Sequence, residues 1–164
     1  MEERLLNYFN GDELAASVWK NKYANENEST PEDMFKRISK EFARIENNYP
    51  EPLTEEQIYD CLDKFKYIIP GGSVLASCGT GKLASLSNCF VIAGPRDSYS
   101  SIMDTRKVQV QLMKRRGGVG YDLSYLRPNG AVVDNAAVTS TGAPSFMDVN
   151  SALTNEVALS GRRK

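Results

Sequence analysis

The chain has 164 residues, 41% of them hydrophobic and 25% charged, which suits a soluble globular domain or a large piece of one. Its formal net charge of -1 gives no electrostatic reason to bind nucleic acid or an anionic membrane. The complete absence of histidine excludes histidine general bases, Ser-His-Asp triads and His-ligated zinc within this chain.

The N-terminus, "MEERLLNYFNGDE", lacks the long apolar stretch of a secretory signal, and no window reaches the length of a transmembrane helix. Asp12 is placed to cap a helix with Ala15, Val18, Trp19 and Tyr23 on one face. After the polar break "NENEST", Thr30 reads as an N-cap, Pro31 as the first helical residue and Asp33 as a capping-box acid. Phe35, Ile38, Phe42 and Ile45 then recur at helical spacing. "NNYPEP" ends that helix. Thr54 and Gln57 form a second capping box, opening a helix that carries Ile58, Leu62 and Phe65 and is expected to stop at Pro70-Gly71-Gly72.

Beyond Pro70 the composition turns small and polar as far as Asn88. "CFVIAG", Cys89 to Gly94, predicts a short buried strand. Asp97 or Ser98 is expected to cap the next helix, with Ile102, Val108 and Leu112 at helical intervals. Lys114, Arg115 and Arg116 would fill its last turn and Gly117 its C-cap. "VGYDLSYL", Val119 to Leu126, alternates like a strand. Gly130 to Gly142 reads as a long loop, and Pro144 opens a final helix closed by Gly161. The chain therefore divides into a helical region, 1–70, and an α/β region, 71–164. Two strands do not make a stable sheet alone. Either further strands lie within 72–88, or residues outside this chain complete the sheet.

The three cysteines, Cys61, Cys78 and Cys89, show no C-x-x-C spacing, and an odd number argues against a secreted disulfide framework. The cytoplasm is the expected compartment. "KRRGGVGYDLSYLRPNGA", Lys114 to Ala131, sets cations, glycines and Arg127 close together. Helix punctuation accounts for the cations and glycines locally. A phosphate or nucleotide site is the other reading, since glycine admits close backbone approach and arginine offers a forked donor. Neither "GTGK", Gly79 to Lys82, nor "GGVG" completes a Walker or dinucleotide-binding pattern.

The order of segments adds a resemblance. "PGG" at Pro70, "LSNCFVI" at Leu86, "DSYSSI" at Asp97, "QVQLMKRRGGVGYDLSYLRPNGA", "TSTGAPSFM" at Thr139 and the terminal "NEVALSGRRK" succeed one another as in the large, catalytic subunit of ribonucleotide reductase. The sequence most resembles adenosylcobalamin-dependent forms and their class I relatives. The resemblance covers nearly the whole chain. It implies a mixed α/β fold: a helical N-terminal domain followed by the first elements of a ten-stranded α/β barrel, incomplete here.

It also implies site residues. Cys89 matches the first cysteine of the pair that reduces the substrate's 2′-carbon and ends as a disulfide. Asn88 matches a substrate-contacting position where serine is common. Gly118 matches a glycine whose backbone lies against the substrate nucleotide. Asp97, Ser98 and Tyr99 match the segment that binds the allosteric dNTP, and Arg127 matches an arginine holding effector phosphates. The 130–142 loop would then sense which dNTP is bound. Cys61 and Cys78 match no functional cysteine. A Cys78–Cys89 bridge is conceivable, without family support.

The implied partners are the remaining C-terminal part of the reductase, a nucleotide substrate, a dNTP effector and a thioredoxin- or glutaredoxin-type reductant. A homodimer would form through helices 98–116 and 144–161. For the whole enzyme, adenosylcobalamin or a metal-radical partner subunit is implied; none is expected to be held by this segment, which should be inactive alone and need a second polypeptide beginning where Lys164 ends. The rival reading is a non-enzymatic dNTP-binding or regulatory module that pairs with a full-length subunit.

Overall fold

The computed structural model describes residues 3–159. Its contacts divide the chain into two units that meet between Ser87 and Asn88. Each is built on local signals visible in the sequence.

The first unit is helical: α1 (Glu3–Tyr8), α2 (Glu13–Lys22), α3 (Pro31–Glu46), α4 (Glu55–Leu62), a 3-10 turn at Asp63–Phe65, and α5 (Gly72–Ser77). Asp12 caps α2 by accepting the Ala15 N–H at 2.9 Å. Asp33 reaches back from α3 to accept the N–H groups of Ser29 and Thr30 at 3.0 and 3.2 Å. Thr54 and Gln57 exchange both bonds of a capping box at the start of α4. These contacts satisfy amides that have no partner inside a helix.

The core gathers Leu5, Ala16, Trp19, Met34, Phe35, Ile38, Ile58, Leu62, Leu75 and Cys78. Phe35 and Ile38 are fully enclosed, and a side chain of that kind contributes about 1.5–3 kcal/mol on burial. On α2 the buried face runs through Ala16 and Trp19, while Val18 is exposed, so the expected stripe is rotated by one residue. On α3 the far end of the expected stripe, Phe42 and Ile45, is exposed as well.

The helix expected to run to Pro70 stops at Leu62. Lys64 and Phe65 adopt left-handed φ values of 49° and 55°, which no α-helix accommodates. The run after Pro70 holds no strand. It forms α5, whose Leu75 and Cys78 join the helical core.

Arg37 of α3 anchors α5. Its Nη2 donates to the Leu75 carbonyl at 2.8 Å and its Nη1 to the Cys78 carbonyl. Its Nε pairs with Glu28 Oε1 at 2.5 Å, and both side chains are well enclosed, at 13% and 7% exposure. The other Glu28 oxygen accepts the Asn25 N–H at 2.8 Å.

The second unit runs β1 (Cys89–Val91), α6 (Tyr99–Met113), β2 (Gly118–Gly120) and α7 (Gly142–Leu159). β1 and β2 are parallel, with Cys89 opposite Gly118 and Val91 opposite Gly120, so α6 is the crossover that parallel strands require. Both strands are shorter than expected. β2 ends where the Asp122 carboxylate accepts the Ser124 N–H at 2.8 Å and its hydroxyl at 2.6 Å, a side-chain turn that replaces the ladder. β1 is not the buried strand expected: Cys89 is exposed and Val91 is 94% exposed, because no third strand lies beside either one among the described residues.

α6 closes differently from expectation too. Arg116, not Gly117, takes the left-handed conformation, with φ 75°. Arg116 N–H bonds to the Met113 carbonyl and Gly117 N–H to that of Leu112, the paired bonds of a Schellman motif. Glycine is needed at 117 for space: a Cβ there would sit 2.7 Å from Phe90 Cε2.

The 130–142 stretch is an ordered hairpin rather than an open loop. Val132 bridges Thr139 antiparallel, and Ser140 N–H bonds to the Ala131 carbonyl at 2.8 Å. α7 starts at Gly142, two residues ahead of Pro144. Its expected end at Gly161 lies outside the described residues.

Candidate functional site

Two groups of the residues singled out in the sequence come together in the second unit. The first surrounds the start of the sheet. The parallel register sets Cys89 beside Gly118, and the Gly118 N–H donates to the Asn88 carbonyl at 2.7 Å. Asn88, Cys89 and Gly118 are thus brought together at one end of the two-stranded ladder. All three cysteines are free thiols, with Cys89 exposed, Cys61 intermediate and Cys78 buried. Burial pushes the Cys78 thiol up, and Glu41 adds to this.

The second group lines a cleft of about 310 Å³ between the start of α6, the 130–140 hairpin and the start of α7. Asp97, Ser98, Tyr99 and Arg127 all face it, with Phe146 and Asp134. Of the two capping candidates, Ser98 serves: its Oγ accepts the Ser101 N–H at 3.3 Å. That leaves Asp97 for Arg127. Asp97 Oδ2 accepts Arg127 Nε at 2.5 Å, and Oδ1 accepts the Arg127 backbone N–H at 3.4 Å. The bond from the guanidinium holds the Asp97 carboxyl below its ordinary range. Arg127 Nη1 also donates to the Val132 carbonyl at 2.9 Å. Tyr99 meets Phe146 edge-to-face at 6.0 Å. A helix N-terminus with an arginine beside it suits an anion.

Sequence reasoning missed a polar network joining α6 to α7. Tyr121 OH donates to Gln109 Oε1 at 2.8 Å, and Gln109 Nε2 donates to Thr154 Oγ1 at 3.0 Å. Arg106 Nε donates to Asn150 Oδ1 at 2.8 Å. Burial raises the Tyr121 phenol, with Arg106 opposing. Ile102, Thr105 and Gln109 form the buried face of α6, so the available signal was a glutamine in helical phase with an apolar residue.

Among the described residues, no group of three or more His, Cys, Asp or Glu could hold a metal. No helix among them is long and apolar enough to cross a membrane.

The fold defines a class: a helical region followed by an α/β region whose two short parallel strands are joined through a helix. Comparison with known families gives the particular one. Residues 9–82 match the ribonucleotide reductase all-alpha domain, and residues 87–164 match the ribonucleotide reductase barrel domain. The chain belongs to the ribonucleotide reductase large-subunit family.

Among curated relatives, it is 32% identical over 109 residues to the vitamin B12-dependent ribonucleoside-diphosphate reductase of Thermoplasma acidophilum, covering 66% of this chain and 13% of that one. It is 34% identical over 96 residues to the enzyme of the same name from Mycobacterium tuberculosis, covering 58% and 14%. It is 30% identical over 141 residues to ribonucleoside-diphosphate reductase subunit alpha of Helicobacter pylori, covering 82% and 16%. The chain thus spans about a seventh of the length of these relatives.

Proposed function

We propose that this chain supplies the first reducing cysteine and most of the effector site of a ribonucleotide reductase, and works with a polypeptide that carries the rest of the barrel. The reaction is the radical-based reduction of a ribonucleotide to a deoxyribonucleotide. Cys89 is one of two thiols whose oxidation to a disulfide supplies two electrons to the 2′-carbon. Asn88 and the Gly118 backbone contact substrate. The single observation that carries this reading is the register: an exposed thiol sits directly across the parallel ladder from Gly118, where a ligand can approach both.

The cleft at Asp97, Ser98, Tyr99 and Arg127 takes the dNTP effector. Asp97 accepts from the deoxyribose hydroxyl, while Arg127 and the first amides of α6 take phosphate. Dimerisation through α6 and α7 is supported by exposed Met103, Val108, Met147 and Val149 on those helices. The radical generator, adenosylcobalamin or a metal-radical partner subunit, belongs to the rest of the enzyme. The similarity to the vitamin B12-dependent reductases of Thermoplasma and Mycobacterium favours the cobalamin form. A thioredoxin- or glutaredoxin-type protein restores the thiols, and the compartment is the cytoplasm.

The test is an assay of this chain together with the remaining barrel residues of a reductase, joined to it or added separately. Deoxynucleotide formation should require both parts and fall to background in Cys89→Ser when a dithiol protein is the reductant. Undiminished output from Cys89→Ser would overturn the assignment. Effector binding without any rescue of activity would point instead to a regulatory module.

A further inference from the structure

We infer that Tyr121 and Gln109 are positioning residues for the substrate end of the sheet: a buried chain of hydrogen bonds from Tyr121 through Gln109 to Thr154 pins β2 in the register that sets Gly118 beside Cys89. This rests on reading Asn88, Cys89 and Gly118 as the substrate contact and adds what holds them together.

β2 is poorly equipped to hold itself. It reads Gly118-Val119-Gly120, and a strand glycine brings no side chain to pack and weakens the ladder. Among the described residues the ladder has one parallel partner and three residue pairs. A slip of one residue would turn Val119 to the other face and take Gly118 away from Cys89. The near end of β2 is held by Phe90, whose ring lies against Gly117, 2.7 Å from where a Cβ would sit. The far end has Tyr121, the first residue after the strand.

The bonds from Tyr121 run in one direction. Thr154 Oγ1 donates its proton to the Asn150 carbonyl at 2.8 Å, so toward Gln109 it accepts, from Nε2 at 3.0 Å. That turns Gln109 Oε1 to Tyr121, whose hydroxyl donates at 2.8 Å. Burial raises the Tyr121 phenol, which keeps that proton in place. Gln109 is 5% exposed, so water is a poor substitute for either partner. Thr154 and Asn150 belong to α7. The far end of β2 is thereby tied to both helices that flank it.

Hydrogen exchange on the full chain tests the pin. The reporters are the Ile92 amide, bonded to the Gly120 carbonyl at 3.0 Å, and the Gly118 amide, bonded to the Asn88 carbonyl at 2.7 Å. Tyr121→Phe removes only the hydroxyl. It should speed exchange about five- to tenfold at Ile92, the scale of one lost buried hydrogen bond, and less at Gly118. The Ile102 amide of α6, bonded to the Ser98 carbonyl at 3.0 Å, should keep its wild-type rate. Gln109→Leu should repeat this pattern. Tyr125→Phe, which alters a tyrosine that is 73% exposed, should change none of the three. In the two-part reductase assay, Tyr121→Phe should raise the substrate KM about threefold or more with kcat little changed, the mark of lost binding in the ground state.

A wild-type rate at Ile92 in Tyr121→Phe would overturn the pin, as would equal acceleration at Ile92 and Ile102. Faster exchange at Ile92 with an unchanged KM would overturn the positioning role. If the wild-type assembly forms no deoxynucleotide, the substrate reading falls, and the exchange rates still decide the pin.

Discussion

Arg37→Met gives a direct measure of what holds α5 to the helical unit. The substitution keeps the apolar stem of the side chain and removes the guanidinium. Glu28, at 7% exposure, then loses its ion-pair partner, and the Leu75 and Cys78 carbonyls lose their donors. Removing one member of an enclosed pair costs about 3–5 kcal/mol. A domain of this size has roughly 5–10 kcal/mol in total, so the variant should lose about half its stability. Trp19 is the sole tryptophan and is 5% exposed in this core, so its fluorescence reports unfolding of this unit. With a urea m-value of about 1–1.5 kcal/mol/M, the midpoint should fall by at least about 2 M. Arg44→Met, which breaks an exposed pair with Glu41 on one face of α3, should barely move it. Adding Glu28→Gln to Arg37→Met should recover part of the loss by removing the orphaned charge. A midpoint for Arg37→Met no lower than that of Arg44→Met would refute the argument.

Three further outcomes follow from the same geometry. A Cβ added at Gly94 falls on the Asp122 carbonyl oxygen, whereas one at Gly120 meets nothing within 4 Å. Gly94→Ala should therefore cost at least about 1–3 kcal/mol and Gly120→Ala far less, and equal melting temperatures by circular dichroism would contradict this. Maleimide labelling of the native chain, mapped by mass spectrometry, should modify exposed Cys89 first and Cys78 last, since Cys78 is buried with its thiol pushed up; similar rates would show that the helical core opens readily. The third outcome concerns pH. Because the bond from Arg127 lowers the Asp97 carboxyl, the pair's contribution is whole above the ordinary aspartate range and is lost only as pH falls through the depressed value. Carbon-13 titration should place Asp97 below a free aspartate, and Arg127→Met should bring it back up; no difference between the two proteins would remove the pair.

The helix starts were legible because their chemistry is local. Asp12, Asp33, Thr54 and Gln57 each find their partner within four residues, so a reading of neighbours suffices. The stop of α4 was not, since nothing in "LDKF" forbids a helix and the turn there needs two non-glycine residues at positive φ. Strand length escaped for the opposite reason. Val119 to Leu126 alternates, but a ladder extends only as far as its partner, and the Asp122–Ser124 turn ends it early. The hairpin hid in a run of Ala, Val and Asn with little periodicity. For the candidate site, the resemblance supplied the residues. The Asp97–Arg127 clamp spans thirty positions and became visible only once the backbone brought them together.

The two-stranded ladder has one more consequence. Each strand has only three residues, and each keeps a flank beside which the described residues place no further strand. Such a flank is a template for any extended peptide that can align with it. On its own at high concentration, the chain should recruit copies of itself along these rails, and the polypeptide that fills them should act as its solubiliser.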